Sequence, residues 1–92
     1  MPRYLVERTF PSSPELAIEA VVEQNTDDGV TWMHSYVSED TRTMVCVYEA
    51  PSPEAIRKAA RHSDLPIDRI RQVRILDPYS FSHGGSGGAG VA

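Results

Sequence analysis

Gly29-Val30-Thr31-Trp32-Met33-His34-Ser35-Tyr36-Val37 reads as a β-strand whose two faces differ in kind. Side chains at alternate positions of a strand share a face. Trp32, His34 and Tyr36 then form one face, with an indole, an imidazole and a phenol. Met33, Ser35 and Val37 form the other, small and apolar enough to pack on a helix. The fold follows from what flanks this strand.

Upstream, residues 4–9 alternate and read as a first strand. Phe10-Pro11-Ser12-Ser13-Pro14 breaks it and is expected to open a helix. Ser12 or Ser13 can cap that helix, Pro14 suits its first turn, and Glu15 sits at the positive end of the helix dipole. Leu16, Ala17, Ala20 and Val21 keep helical spacing, and residues 25–29 end the helix. Downstream, Ser38-Glu39-Asp40-Thr41 reads as a hairpin turn, without the Asn-Gly pair that fixes turn type. Residues 42–48 form a third strand. Ser52-Pro53-Glu54 repeats the helix-opening device. The second helix runs to about Ser63, with Ala55, Ile56, Ala59 and Ala60 inward. A connector over 65–69 follows, with Ile70 packed beneath it. The fourth strand is expected over 72–76, stopped by Asp77-Pro78. Tyr79 and Phe81 are the last residues expected to pack.

Strand, helix, strand, strand, helix, strand is the ferredoxin-like α+β pattern βαββαβ. It predicts a four-stranded antiparallel sheet with two helices on one face. The domain is expected over residues 1–82, with a flexible Gly-rich tail over 83–92. Alternation sorts the strands into two sets. Tyr4, Val6, Met33, Ser35, Val37, Val45, Val47, Val73 and Ile75 suit packing beneath the helices. Leu5, Glu7, Thr9, Trp32, His34, Tyr36, Met44, Cys46, Tyr48, Arg74 and Leu76 form the opposite set. That second set is too aromatic and apolar to face water, so a second copy is expected to cover it. The expected assembly is a homodimer in the form of a dimeric α/β barrel.

Ninety-two residues make one domain, and the 40% hydrophobic and 24% charged content is that of a soluble globular protein. A net charge of −4 argues against a general nucleic-acid binder, which needs clustered Lys and Arg. No apolar run is long enough for a membrane span. The start lacks a signal-peptide core, and the single Cys46 excludes an internal disulfide, so the expected location is cytoplasmic.

The barrel interior would hold Glu7, His34, Tyr36, Cys46 and Tyr48. Imidazole, thiolate and carboxylate together suit nickel, copper or zinc. The first and third strands are central in this fold, which makes Glu7 and Cys46 neighbours. A hairpin centred on Asp40 sets His34 opposite Cys46; one centred between Glu39 and Asp40 sets Met33 there. The first agrees with the face sets. Each residue also has a plainer reading. His34 can be a hydrogen-bonded interior histidine, Cys46 a small buried hydrophobe, and Trp32, Tyr36 and Tyr48 packing groups. Glu7 on a central strand needs a partner, and Arg74 can supply it as a structural ion pair. A rival function is a cofactor-independent barrel enzyme for a small hydrophobic molecule, with His34 as acid or base.

Five blocks carry a resemblance: residues 1–8, 29–40, 48–57, 65–70 and 76–79, with Trp32-Met33-His34-Ser35-Tyr36-Val37 and Ala50-Pro51-Ser52-Pro53-Glu54-Ala55 the most specific. They resemble a family of small bacterial proteins, catalogued as a domain of unknown function, whose described member is nickel-binding and nickel-responsive. The resemblance covers about residues 1–82. It implies a ferredoxin-like fold, a homodimeric barrel and nickel bound by the dimer. The resemblance brings no ligand list beyond the matching His34, which is expected as the main ligand; the face sets add Glu7 and Cys46 as further candidates, with Trp32, Tyr36 and Tyr48 around them.

Overall fold

The computed structural model describes residues 1–80. In chain order its elements are β1 (Arg3–Thr9), α1 (Ile18–Asp27), β2 (Thr31–Val37), β3 (Thr43–Glu49), α2 (Pro53–His62) and β4 (Arg69–Val73). The strands form one antiparallel sheet in the order β2-β3-β1-β4. This is the expected ferredoxin-like α+β arrangement. Phe81 and the 83–92 tail lie outside the described residues.

Local chemistry explains the second helix well. Ser52 is extended, its side chain accepts a hydrogen bond from the Ala55 N–H, and Pro53 takes the first helical position. Ile56, Ala59 and Ala60 then fall on one side and are buried. Fully burying a side chain such as Ile56 contributes roughly 1.5–3 kcal/mol. The first helix departs from expectation. It begins at Ile18, after an irregular stretch, with Ala17 at its cap position and no side-chain cap. Ser12, Ser13, Pro14 and Glu15 therefore precede the helix instead of opening it. The irregular path lets Leu16 pack against the core from outside the helix.

Both helices end the same way. In α1 the Gly29 N–H reaches the Thr26 carbonyl and the Val30 N–H reaches that of Asn25. In α2 the Asp64 N–H reaches Arg61 and the Leu65 N–H reaches Ala60. These are paired C-terminal caps that need a left-handed residue between the two donors' carbonyl targets and the outgoing chain. Gly29 supplies φ +77° and Asp64 supplies φ +54°.

The register corrects the face sets. β1 and β3 pair Tyr4 with Tyr48, Val6 with Cys46 and Arg8 with Met44. Directly opposed residues share a face. Met44, Cys46 and Tyr48 therefore join Tyr4 and Val6 beneath the helices, where all five are buried. Val45 and Val47 lie on the open face with Leu5 and Glu7. β4 is displaced by three residues from its expected position. It starts where the Asp68 N–H bonds the Glu7 carbonyl, and it sets Ile70 opposite Val6 and Arg71 opposite Leu5. Ile75, Leu76 and Tyr79 fall beyond it and are exposed, so Tyr79 does not close the core.

Candidate functional site

Strand β2 carries an irregularity that decides where its chemistry points. Thr31 and Trp32 oppose Glu49 and Tyr48, but His34, Ser35 and Tyr36 oppose Val47, Cys46 and Val45. Met33 is the extra residue of a β-bulge. The bulge places Trp32 beside Tyr48 beneath the helices, with ring centroids 6.4 Å apart. It places His34 and Tyr36 on the open face. Neither simple hairpin register is followed throughout. The register centred on Asp40 holds at Thr31 and Trp32, and a shift of one residue applies beyond the bulge.

The expected site residues thus divide. His34, Tyr36 and Glu7 share the open face. Cys46, Tyr48 and Trp32 lie on the opposite one, so they do not line a space shared with His34. Cys46 is a free cysteine, 1% exposed, packed between Val6 and Ser35 in the register. Its plain reading as a small buried hydrophobe fits that surrounding.

Two rows of side chains cross the open face. His34, Val47, Leu5 and Arg71 form one; Tyr36, Val45, Glu7 and Arg69 form the next. The exposed His34 ring meets the Tyr36 ring edge-on, with centroids 5.4 Å apart. Glu7 is two strands from Tyr36 along the same row, roughly 10 Å by interstrand spacing, and farther from His34. Its Oε2 accepts from Arg71 Nη2 at 3.0 Å. Arg71 therefore takes the role expected of Arg74, which lies past the end of β4. Arg3 and Glu49 make a similar pair at 3.0 Å.

The sequence sets Arg8 at the edge of the helix face as an ion-pair residue, and its hydrogen-bonded chemistry differs from that. Arg8 is 3% exposed and donates to the Pro66 carbonyl at 2.7 Å and to the Tyr48 hydroxyl at 2.9 Å. Among the described residues no carboxylate pairs with it. Burial pushes the Tyr48 phenol above its ordinary range, against the pull of the guanidinium. The available signal was the alternation of Tyr4, Val6 and Arg8, which puts Arg8 on the buried side of β1.

Among the described residues no three His, Cys, Asp or Glu side chains stand close enough together to hold one metal ion. One chain's residues, as far as they are described, do not make a complete metal centre. No described helix is long and apolar enough to cross a membrane.

Comparison with known proteins bears on these observations. The family model described as "Nickel responsive protein SCO4226-like" matches residues 4–73. No curated protein matches the chain in sequence. The crystal structure of SCO4226 from Streptomyces coelicolor A3(2) is similar, with a TM-score of 0.65 and 15% identity. The alignment covers 82% of this chain and 99% of that one. At that identity the likeness shows a shared fold.

Proposed function

The chain belongs to the SCO4226-like nickel-responsive family, and we propose that it is a small cytoplasmic homodimer that binds nickel for sequestration or sensing. The observation that carries this reading is the placement of His34. An exposed imidazole stands on the open sheet face, edge-on to the Tyr36 ring. Imidazole is a suitable ligand for nickel, copper and zinc. The described residues of one chain supply only part of a site, so the proposal needs a second copy. The open face offers a basis for one. Leu5, Val45 and Val47 form an apolar centre between the Glu7–Arg71 and Arg3–Glu49 pairs. Two such sheets facing each other would bury that centre and bring a second His34 and a second Glu7 to the same interior.

Cys46 is left out of the proposed ligand set, because its side chain lies on the helix side of the sheet. Glu7 remains a candidate only if it exchanges Arg71 for a metal. The test is calorimetry and equilibrium dialysis with Ni²⁺, Cu²⁺ and Zn²⁺ on tag-free protein, together with its mass in solution. Wild type is expected to be a dimer that takes up Ni²⁺. Cys46→Ser should bind as wild type does. If His34→Ala also binds as wild type does, the ligand assignment is wrong.

A further inference from the structure

Beneath the outer edge of the sheet, a groove separates the stretch ahead of α1 from strands β2 and β3. Its volume is about 530 Å³, within the range of small-molecule sites. Pro14, Leu16 and Ile18 form one wall, and Trp32, Val37 and Met44 form the other. Three hydroxyl residues, Ser13, Ser35 and Thr41, complete the lining, and none of the lining residues is ionisable. Two larger grooves, about 630 and 600 Å³, differ in carrying carboxylates: Glu19 and Glu23 in one, Glu15 and Asp64 in the other.

Trp32 gives this groove its chemical character. Its indole N–H is already satisfied by the Ser35 Oγ at 2.8 Å, and its ring stacks on Tyr48 at an interplanar angle of 28°. What the half-buried indole still offers is apolar ring surface. Ser13 and Thr41 hydrogen-bond to each other and tie the two walls together at one end. At the rims Ile18 is 49% exposed and Val37 is 52% exposed, so each wall leaves apolar surface in water. Covering that surface is favourable, and stacking on an aromatic ring rewards a flat partner. A wall without charge favours a ligand without charge, since an ion would lose its hydration and gain no counter-charge.

We propose that this groove binds a small, uncharged aromatic molecule carrying one hydroxyl or similar hydrogen-bonding group. The ring lies against Trp32 and Met44, and the polar group meets the hydroxyls of Ser13, Ser35 or Thr41. The site is separate from the proposed metal site. Trp32, Ser35 and Val37 face the helices, whereas His34 and Tyr36 face away from them.

The probe is 2-naphthol, titrated into the full chain and followed by NMR at the indole N–H of Trp32, the chain's one tryptophan. The expected result is a saturable shift at Trp32 and at the groove residues. Ile18→Glu and Val37→Glu, both at exposed positions, should fold normally and weaken binding by about tenfold or more, because they bring a carboxylate to an apolar rim. Naphthalene-2-sulfonate, with the same rings and a fixed charge, should bind about tenfold more weakly or worse. His34→Ala should leave 2-naphthol binding unchanged whether or not it abolishes nickel binding. The proposal is overturned by any one of three results: no saturable change at Trp32, equal affinity for naphthol and sulfonate, or unaltered binding by both rim variants.

Discussion

Trp32 and His34 point to opposite faces of the sheet although a single residue, Met33, separates them. Simple alternation would put both side chains together. The bulge sends the indole to the core side and the imidazole to the open side, and the candidate site exists only because of it.

A deletion test follows from the pairing. Removing Met33 leaves Trp32, His34 and Ser35 opposite Tyr48, Val47 and Cys46 in unbroken alternation. That variant should fold, keep the fluorescence maximum of Trp32, and lose less than about 2 kcal/mol. Removing Ser35 instead shifts the register of Tyr36 and Val37 and takes away the acceptor of the Trp32 N–H. It should lower the melting temperature much further. Equal losses in the two deletions would contradict the assignment of Met33 as the extra residue.

Arg8 and Tyr48 form a buried polar pair, and its two halves depend on each other. Tyr48→Phe strips a guanidinium N–H of its acceptor and should cost about 1–3 kcal/mol. Arg8→Met leaves the phenol without its donor and should also destabilise. The double variant removes both polar groups and should recover part of the loss. Chemical denaturation of all four proteins gives the coupling energy directly, and strict additivity would mean that the contact contributes nothing.

At the far ends of the helices, His62 Nδ1 lies 2.9 Å from Asp28 Oδ2 and 3.3 Å from Gln24 Nε2. The His62 hydrogen bond is the main cause holding the Asp28 carboxyl below its ordinary value, with Gln24 adding to it. The folded form therefore binds that proton less readily than the unfolded chain does. The associated stability is fully present above the unfolded aspartate pKa of about 3.9 and is lost as pH falls through the lower folded value. Asp28→Asn should remove this acid-limb dependence. Denaturation midpoints measured from pH 6 down to about 2.5 check it, and parallel curves for variant and wild type would refute it.

Asp64 does the work of a cap glycine without being one. A left-handed conformation costs an ordinary L-residue about 1–2 kcal/mol, somewhat less for Asp, and costs glycine almost nothing. Asp64→Gly should therefore raise stability by about 0.5–1 kcal/mol, or a few degrees in melting temperature. The same change at a helical position, such as Lys58→Gly in α2, should lower it by a similar amount.

The order of elements was legible from periodicity and from the Ser52-Pro53-Glu54 start, because those signals are local. The hairpin turn was legible for the same reason: the Thr41 N–H closes it onto the Ser38 carbonyl at 2.9 Å. What failed depends on partners distant in the chain. Whether Val6 meets Cys46 or Val47 is set by how β1 and β3 slide past each other, and one residue of slip exchanges the faces. β4 starts earlier than the sequence indicates: Asp77-Pro78 looks like a strand stop, whereas the strand is anchored at its other end by the Asp68 bond to β1. Nothing within Trp32-Met33-His34 announces the bulge. Alternation and the register agree in setting His34, Tyr36 and Glu7 on one face, and differ for Cys46, Tyr48 and Trp32, which the register puts on the other.

β1 is made first but sits in the middle of the sheet, with β3 on one flank and β4 on the other. Its final neighbour begins at Arg69, so Leu5 waits for Arg71 and Glu7 for Arg69. A nascent chain leaving the ribosome can form the β2–β3 hairpin early, since those strands are joined by a short turn. It cannot close the sheet until nearly the whole domain has emerged. Until then the β4-side edge of β1, with its unpaired N–H and C=O groups, is open to any strand that finds it, an edge the finished sheet no longer offers.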